Sequence, residues 1–358
     1  MTDNGVTAAI FTGVESYRLM HGTAASPYPR NTWYVAAWSH EIGQELTERW
    51  LLGEPVVLYR TEAGTAVALG NRCPHRRYPL SRGRRVGDNI ECGYHGLTFE
   101  PGGACIAIPS QEHIPGTVRA RSYPLVERSR WAWIWMGDAA LADDSLIPDC
   151  HWLDDPEWHG VSGTMDIKCR YELMNDNLLD LSHLTFLHAD TIGAGYIAQA
   201  PVECEVEGRV VRVKRVMRNV ELPPLHAKTM GLRSPVDRWQ VEEFLAPNFH
   251  LVSSGSRSLV DGKTAESRVL NGITPASRTT TTYFWGIYFS YEIEPVSMRE
   301  AQLHLLRQDA DVLEAQEIMV ASDAPDAVEY NATADAGVVQ GRRRVQEMIR
   351  AEALQPTS

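Results

Sequence analysis

A chain of 358 residues with 46 acidic and 34 basic side chains carries a formal charge of −12, a balance that argues against nucleic acid or anionic membrane as a partner, because their phosphates call for a basic surface. Hydrophobic residues at 44% and charged residues at 22% exclude a disordered or fibrous chain, and the length exceeds what one hydrophobic core usually serves, so two domains are expected. The densest apolar run, Trp131 to Met136, falls far short of the ~20 residues that cross a bilayer, and six cysteines without a secretory leader predict a soluble cytoplasmic protein rather than a stapled secreted one.

In chain order, residues 1–29 read as an N-terminal arm packing on the second domain, with helix expected between Thr12 and Leu19 and a proline-rich exit at Pro27 and Pro29. Residues 30–142 have the pattern of a small all-β domain. Val56–Tyr59, Ala66–Leu69, Leu97–Phe99 and Trp131–Trp135 are β-rich segments between Gly or Pro turns. Two of its loops carry Cys73-Pro-His75 and Cys92-Gly-Tyr-His95. A Rieske [2Fe–2S] cluster takes two cysteines on one iron and two histidines on the other, so each half-motif has to supply one ligand of each type, and both do. Zinc also accepts two cysteines and two histidines, but usually with like ligands grouped. The mixed grouping, with Gly93 and Gly96 allowing tight turns, favours the cluster over zinc and over a Cys73–Cys92 disulfide. Beside the first ligands, Arg76, Arg77, Arg82, Arg84 and Arg85 form a basic group in an acidic protein. It reads either as a docking patch for an acidic electron donor or as a solvated loop or subunit contact.

From residue 143 to 358, after a linker-like stretch marked by Asp143, Asp144, Pro148 and Pro156, the pattern is mixed. A helix is expected over 171–186, strands around 201–217, 239–254, 266–273 and 279–292, and helices over 297–321 and 339–353. The first helix holds Asn177, Asp180, His183 and His188 among leucines. Two histidines and one carboxylate with open positions form the facial triad of non-heme Fe(II) oxygenases. Five positions on an ideal helix lie about 140° apart, so the helix should end or distort between His183 and His188 if both reach one iron. The alternative is a pair of core or capping histidines. The third ligand should be an acid remote in sequence, and Asp309, Asp311 and Glu314 offer themselves. Asp309 shares its helix face with Leu306 and Leu313 and points inward, where a carboxylate is costly unless paired or metal-bound. Asp311 and Glu314 fall with Arg307 and Gln308 on the wetter side. Asp180, one turn before His183, is expected to accept a hydrogen bond from a ligand histidine and fix its tautomer, or to help relay an electron between the metals.

These residues resemble the Rieske non-heme iron aromatic-ring oxygenases, and among them the vanillate and dicamba O-demethylase type. The likeness comprises the Cys-x-His and Cys-x2-His ligands, the Asn-x2-Asp-x2-His-x4-His run, the Asp309 helix with its Asp-x4-Glu-Ala sequence, and Thr274-Pro275 leading into Tyr283-Phe284-Trp285. It implies an α+β chain: an N-terminal all-β Rieske domain joined to a C-terminal helix-grip catalytic domain, an antiparallel sheet with helices, assembled as a head-to-tail homotrimer. It further implies that Cys73, His75, Cys92 and His95 hold the cluster, that His183, His188 and Asp309 hold a mononuclear Fe(II), and that Asp180, with Asn177 beside it, bridges the two centres across a subunit boundary. The implied activity uses O2 and electrons from a ferredoxin or flavin reductase to O-demethylate a small methoxylated arene, by way of a hemiacetal that collapses to a phenol and formaldehyde. Hydroxylation of an aryl methyl group and dihydroxylation of a ring use the same metals, and a Rieske electron carrier or redox sensor would use the cluster alone. His250 and Trp285 are expected in the substrate pocket, with core positions as the alternative. One departure from the resemblance is Ser129-Arg130, where a Gly-containing turn is expected before Trp131.

Overall fold

The structure is a computed structural model that describes residues 27–324 and 326–354; the helix expected between Thr12 and Leu19 lies outside the described residues. The N-terminal part is built from β1 (Trp33–Trp38), β2 (Thr47–Leu51), β3 (Glu54–Arg60), β4 (Ala66–Gly70), β5 (Arg84–Val86), β6 (Asn89–Glu91), β7 (Thr98–Phe99), β8 (Cys105–Ala107), β9 (Leu125–Arg128) and β10 (Trp131–Trp135). They form antiparallel sheets in the orders β1-β10-β9, β2-β3-β4 and β5-β6-β7-β8. All four segments expected as strands are strands here.

The second part begins with β11 (His159–Ile167), followed by α1 (Tyr171–Leu179), α2 (Leu184–Leu187), α3 (Gly195–Gln199), β12 (Glu203–Glu207), β13 (Val210–Val220) and α4 (Pro224–Thr229). Then come β14 (Val236–Leu245), β15 (Phe249–Ser258), β16 (Thr264–Ser277), β17 (Thr280–Phe289), α5 (Pro295–Ala321) and α6 (Ala336–Ala353). Its seven strands make one antiparallel sheet in the order β11-β17-β16-β15-β14-β13-β12. The chain is therefore α+β, as expected. Two regions expected as single strands, 201–217 and 239–254, are each two strands, turning at Gly208 and at Ala246-Pro247-Asn248.

Period-2 alternation gives this sheet two faces with different tasks. One face, with Phe249, Leu270, Phe284 and Tyr288, packs on Trp131, Trp133 and Trp135 of β10, and the Phe249 ring lies 6.0 Å from Trp131 and 5.9 Å from Trp133. That is where the apolar tryptophan strand goes. Polar bonds fix the same seam: Thr274 donates to the Val35 carbonyl at 2.7 Å and Asn248 to the Trp33 carbonyl at 3.0 Å. Gly272 is needed there, since a Cβ would sit 2.7 Å from Val35 Cγ2. The opposite face is covered by α1, α5 and α6, with Leu179, Leu306, Leu313, Val345 and Ile349 packed with Val211, Val213 and Phe244.

Candidate metal centres

Two loops of the N-terminal part repeat one backbone plan. Cys73 N–H donates to the Tyr78 carbonyl at 2.9 Å and its own carbonyl accepts from Arg77 N–H at 2.8 Å; Cys92 N–H donates to Leu97 at 2.8 Å and its carbonyl accepts from Gly96 N–H at 3.0 Å. The residue four places after each cysteine is left-handed, Arg77 at φ 61° and Gly96 at φ 72°. At position 96 glycine is also forced by space, since a Cβ would come 2.9 Å from Pro109 Cγ. These matched turns bury Cys73 and Cys92 to 1% and 2% exposure and leave His75 and His95 exposed, their ring centroids 4.6 Å apart. Burial, with the Cys92 sulfur hydrogen-bonded beside it, pushes the Cys73 thiol up to about 11, so ionising it as a ligand calls for the charge of a bound metal. Paired buried sulfurs and paired exposed imidazoles fit a cluster whose histidine-bearing edge faces outward.

In the second part, α1 stops at Leu179 because Asp180 takes extended backbone and caps a short 3-10 turn, Leu181–His183. One helix over 171–186 was expected; the chain instead breaks at Asp180, resumes in α2 and leaves His188 just past its end. The end of α2 at Leu187 falls between the two histidines and takes His188 off the helix, which lets residues five apart converge. His188 Nε2 lies 3.2 Å and His183 Nε2 3.7 Å from Asp309 Oδ1, and ligand atoms of all three fall within 4.8 Å of one another. Asp309 comes from α5, as its inward face predicts. Asp311 is exposed, and Glu314 accepts the Lys168 N–H.

The outer nitrogens are also fixed. His183 Nδ1 meets the main-chain carbonyl of Asp180 at 2.7 Å, and His188 Nδ1 meets Gln308 Oε1 at 2.9 Å. Both rings thus turn Nε2 toward Asp309, and Asn177 donates to Asp309 Oδ1 at 3.3 Å. Two sequence expectations need correction here. The Asp180 carboxylate does not hold His183 within the chain, because it is taken by Ser182 and by the buried Arg215 at 2.7 Å. Gln308, assigned to the wet side, is a partner of His188. Burial disfavours the charged form of His183 and lowers its pKa despite Asp309. At His188 burial acts the same way but is outweighed by bonds to Asp309 and Gln308, which raise it. A set of two imidazoles and one carboxylate on one side, with open space on the other, would suit a ferrous ion that keeps positions free for other ligands.

That open space is a partly enclosed, mostly apolar cavity. It is bounded by the triad, by Leu178, Leu184 and Leu305 of the helical cover, and by Val252, Val269 and Ile287 of the sheet. His250 and Trp285 lie outside it. His250 is wholly buried, 2.7 Å from Glu242 Oε1 and 3.0 Å from Asn175 Oδ1. Trp285 is wholly buried against Gly163, with the Arg299 guanidinium 5.6 Å from its ring. Both share a sheet face with neighbouring cavity residues, Val252 beside His250 and Tyr283 and Ile287 on either side of Trp285, but their rings are taken up by Glu242 and Asn175 and by Gly163. Of the basic group, Arg76, Arg77, Arg82 and Arg84 are exposed, whereas Arg85 is tied to the Gln44 and Gly87 carbonyls.

Residues 32–124 match the Rieske [2Fe–2S] domain and residues 167–351 match the vanillate O-demethylase oxygenase C-terminal domain. The chain belongs to the Rieske oxygenases of the vanillate O-demethylase type. It is 37% identical to the toluene-4-sulfonate monooxygenase system iron-sulfur subunit TsaM1 of Comamonas testosteroni, covering 90% of this chain and 97% of that one. It is 37% identical to a vanillate O-demethylase oxygenase subunit of Pseudomonas sp. (strain HR199 / DSM 7063), covering 91% and 96%. Among solved structures, dicamba monooxygenase bound to 3,6-dichlorosalicylic acid superposes with a TM-score of 0.86 at 30% identity over 92% of this chain and 99% of that one. As a Rieske oxygenase the protein is an enzyme, and among its described residues no helix is long and apolar enough to cross a membrane.

Proposed function

We propose that this Rieske oxygenase is the terminal component of a multicomponent system and O-demethylates a small methoxylated arene, releasing formaldehyde. The observation that carries the reading is the convergence of His183, His188 and Asp309 on a mostly apolar cavity. Cys73, His75, Cys92 and His95 hold the [2Fe–2S] cluster, and His183, His188 and Asp309 hold the Fe(II). When bound, the cluster supplies single electrons and the iron supplies reductive activation of O2. The chain's own residues do the rest. Asn177 and Gln308 keep Asp309 and His188 aimed, and the Asp180 carbonyl fixes the His183 tautomer. The leucine and valine walls exclude water and leave an arene few ways to lie.

Residues 30–142 form the Rieske domain and residues 143–358 the catalytic domain, with residues 1–29 as an arm on the latter. The working unit is a cytoplasmic homotrimer reduced by a ferredoxin or flavin reductase, and Asp180 with its Arg215 partner lies at the subunit boundary that electrons cross. Free cysteines throughout support a reducing compartment. A screen of methoxybenzoates and methoxyphenols with a surrogate reductase should show NADH use coupled to formaldehyde release. Uncoupled NADH oxidation across the whole panel would overturn the reading. Hydroxylation of an aryl methyl group is the second reading, favoured by the likeness to the toluene-4-sulfonate system, and the same screen with methylarenes separates the two by the alcohol formed.

A further inference from the structure

We propose that Arg238, with His226 and Gln240 beside it, anchors an anionic substituent, a carboxylate or a sulfonate, on the aromatic substrate; the inference rests on the arene-oxidising reading above. β14 alternates strictly, and its buried positions include Arg238, Gln240 and Glu242 while Trp239 and Val241 are only half-buried. A strand that turns its polar residues inward inverts the usual hydrophobic pattern, and such an inversion calls for a polar occupant.

Three arginines of the described residues are almost entirely buried: Arg215 and Arg238, each 2% exposed, and Arg342 at 9%. Arg215 is held by Asp180 at 2.7 Å, and Arg342 by Asp176 and Glu329. Arg238 has no such counterpart: among the described residues no carboxylate forms an ion pair with it, its neighbour is the Tyr196 hydroxyl, and its Nη1 is buried without a partner. An isolated charge out of water is costly unless it is paired. His226 Nδ1 and Gln240 Oε1 are likewise buried without partners. Arg238, His226 and Gln240 all border the cavity that His183, His188 and Asp309 border.

The apolar walls cannot neutralise the guanidinium, so the missing charge has to arrive with the ligand. Burial and the Arg238 charge hold His226 well below its ordinary range, leaving a neutral imidazole that adds a hydrogen bond without a second positive charge. Arg238 belongs to the sheet and the triad to the helical cover. An arene held by its anion on β14 therefore presents its other substituents toward the triad, which is positioning by a remote contact.

Equilibrium binding of 4-methoxybenzoate, 4-methoxybenzenesulfonate and the neutral 4-methoxybenzamide to the purified holoenzyme tests this. The wild type should bind at least one anion roughly tenfold or more tighter than the amide, as expected for a charge-assisted contact. Arg238→Met should abolish that preference and Arg238→Lys should keep part of it. No preference in the wild type, or an undiminished one in Arg238→Met, would overturn the proposal. The wild-type comparison stands even if the Met variant does not fold. Formaldehyde is scored in parallel. Anion binding that depends on Arg238 without formaldehyde release would remove the demethylation reading and keep the anchor, whereas equal release from neutral and anionic arenes, unaffected by Arg238→Met, would do the reverse.

Discussion

Asp309 joins the two histidines through one carboxylate oxygen, Oδ1, which also takes the Asn177 hydrogen bond. Replacing it with Asn should lower iron from about three atoms per chain to about two, with labile sulfide and the reduced-cluster signal unchanged; Asp311→Asn should leave all three. Gln308→Leu frees the His188 Nδ1 and should weaken ferrous binding roughly 10–100-fold in chelator competition. The wholly buried Glu242–His250 pair is neutral, because burial pushes the Glu242 carboxyl well up and the His250 imidazole down to about 3. A raised carboxyl pKa means that Glu242 supports folding below its unfolded pKa of ~4.5 and loses that support as pH rises. His250 acts oppositely, losing support as pH falls from ~6.5 toward 3. Glu242→Gln should therefore melt progressively higher than wild type as pH is raised from 5 to 8; a Tm difference independent of pH would contradict the neutral pair. The convergence of His183, His188 and Asp309 was legible in the sequence because two histidines and an inward Asp have few other reasons to sit among leucines. Gln308 and Arg238 were not: helix periodicity set Gln308 on the wet side although it bonds His188, and strand alternation does not distinguish a polar side chain facing a cavity from one facing solvent.

At the scale of elements, an end of the helix between His183 and His188 was foreseen from helical geometry and is found at Leu187, whereas the break at Asp180 was not. The divisions of 201–217 and 239–254 were not foreseen either, although Gly208 and Pro247 stand in the two turns. The β9–β10 turn is a departure of the other kind: Ser129 and Arg130 stand at φ 50° and 63°, positions where a tight hairpin favours Asn and Gly. Left-handed backbone costs a Cβ-bearing residue about 1–2 kcal/mol. Ser129→Gly should recover part of that cost as a higher Tm without altering cluster or iron content, and an unchanged or lowered Tm would count against strain at this turn.

For the whole molecule, two sheets packed through tryptophans place an outward-facing cluster site and an enclosed iron site in one chain. The exposed Arg76, Arg77, Arg82 and Arg84 surround the cluster loops, so charge reversal at Arg82 and Arg84 should slow cluster reduction by an acidic donor and flatten its dependence on ionic strength. Unchanged rates would assign these arginines to solvent or to a subunit contact. The order of an N-terminal Rieske β part and a C-terminal α+β part was legible from length and from the change of pattern along the chain. Iron and acid-labile sulfide counted per chain on purified protein bear most directly on the existence of two separate sites. About three irons and two sulfides, with the reduced-cluster paramagnetic signal, are expected from a Rieske cluster plus one ferrous ion; about one metal atom and no sulfide would contradict it.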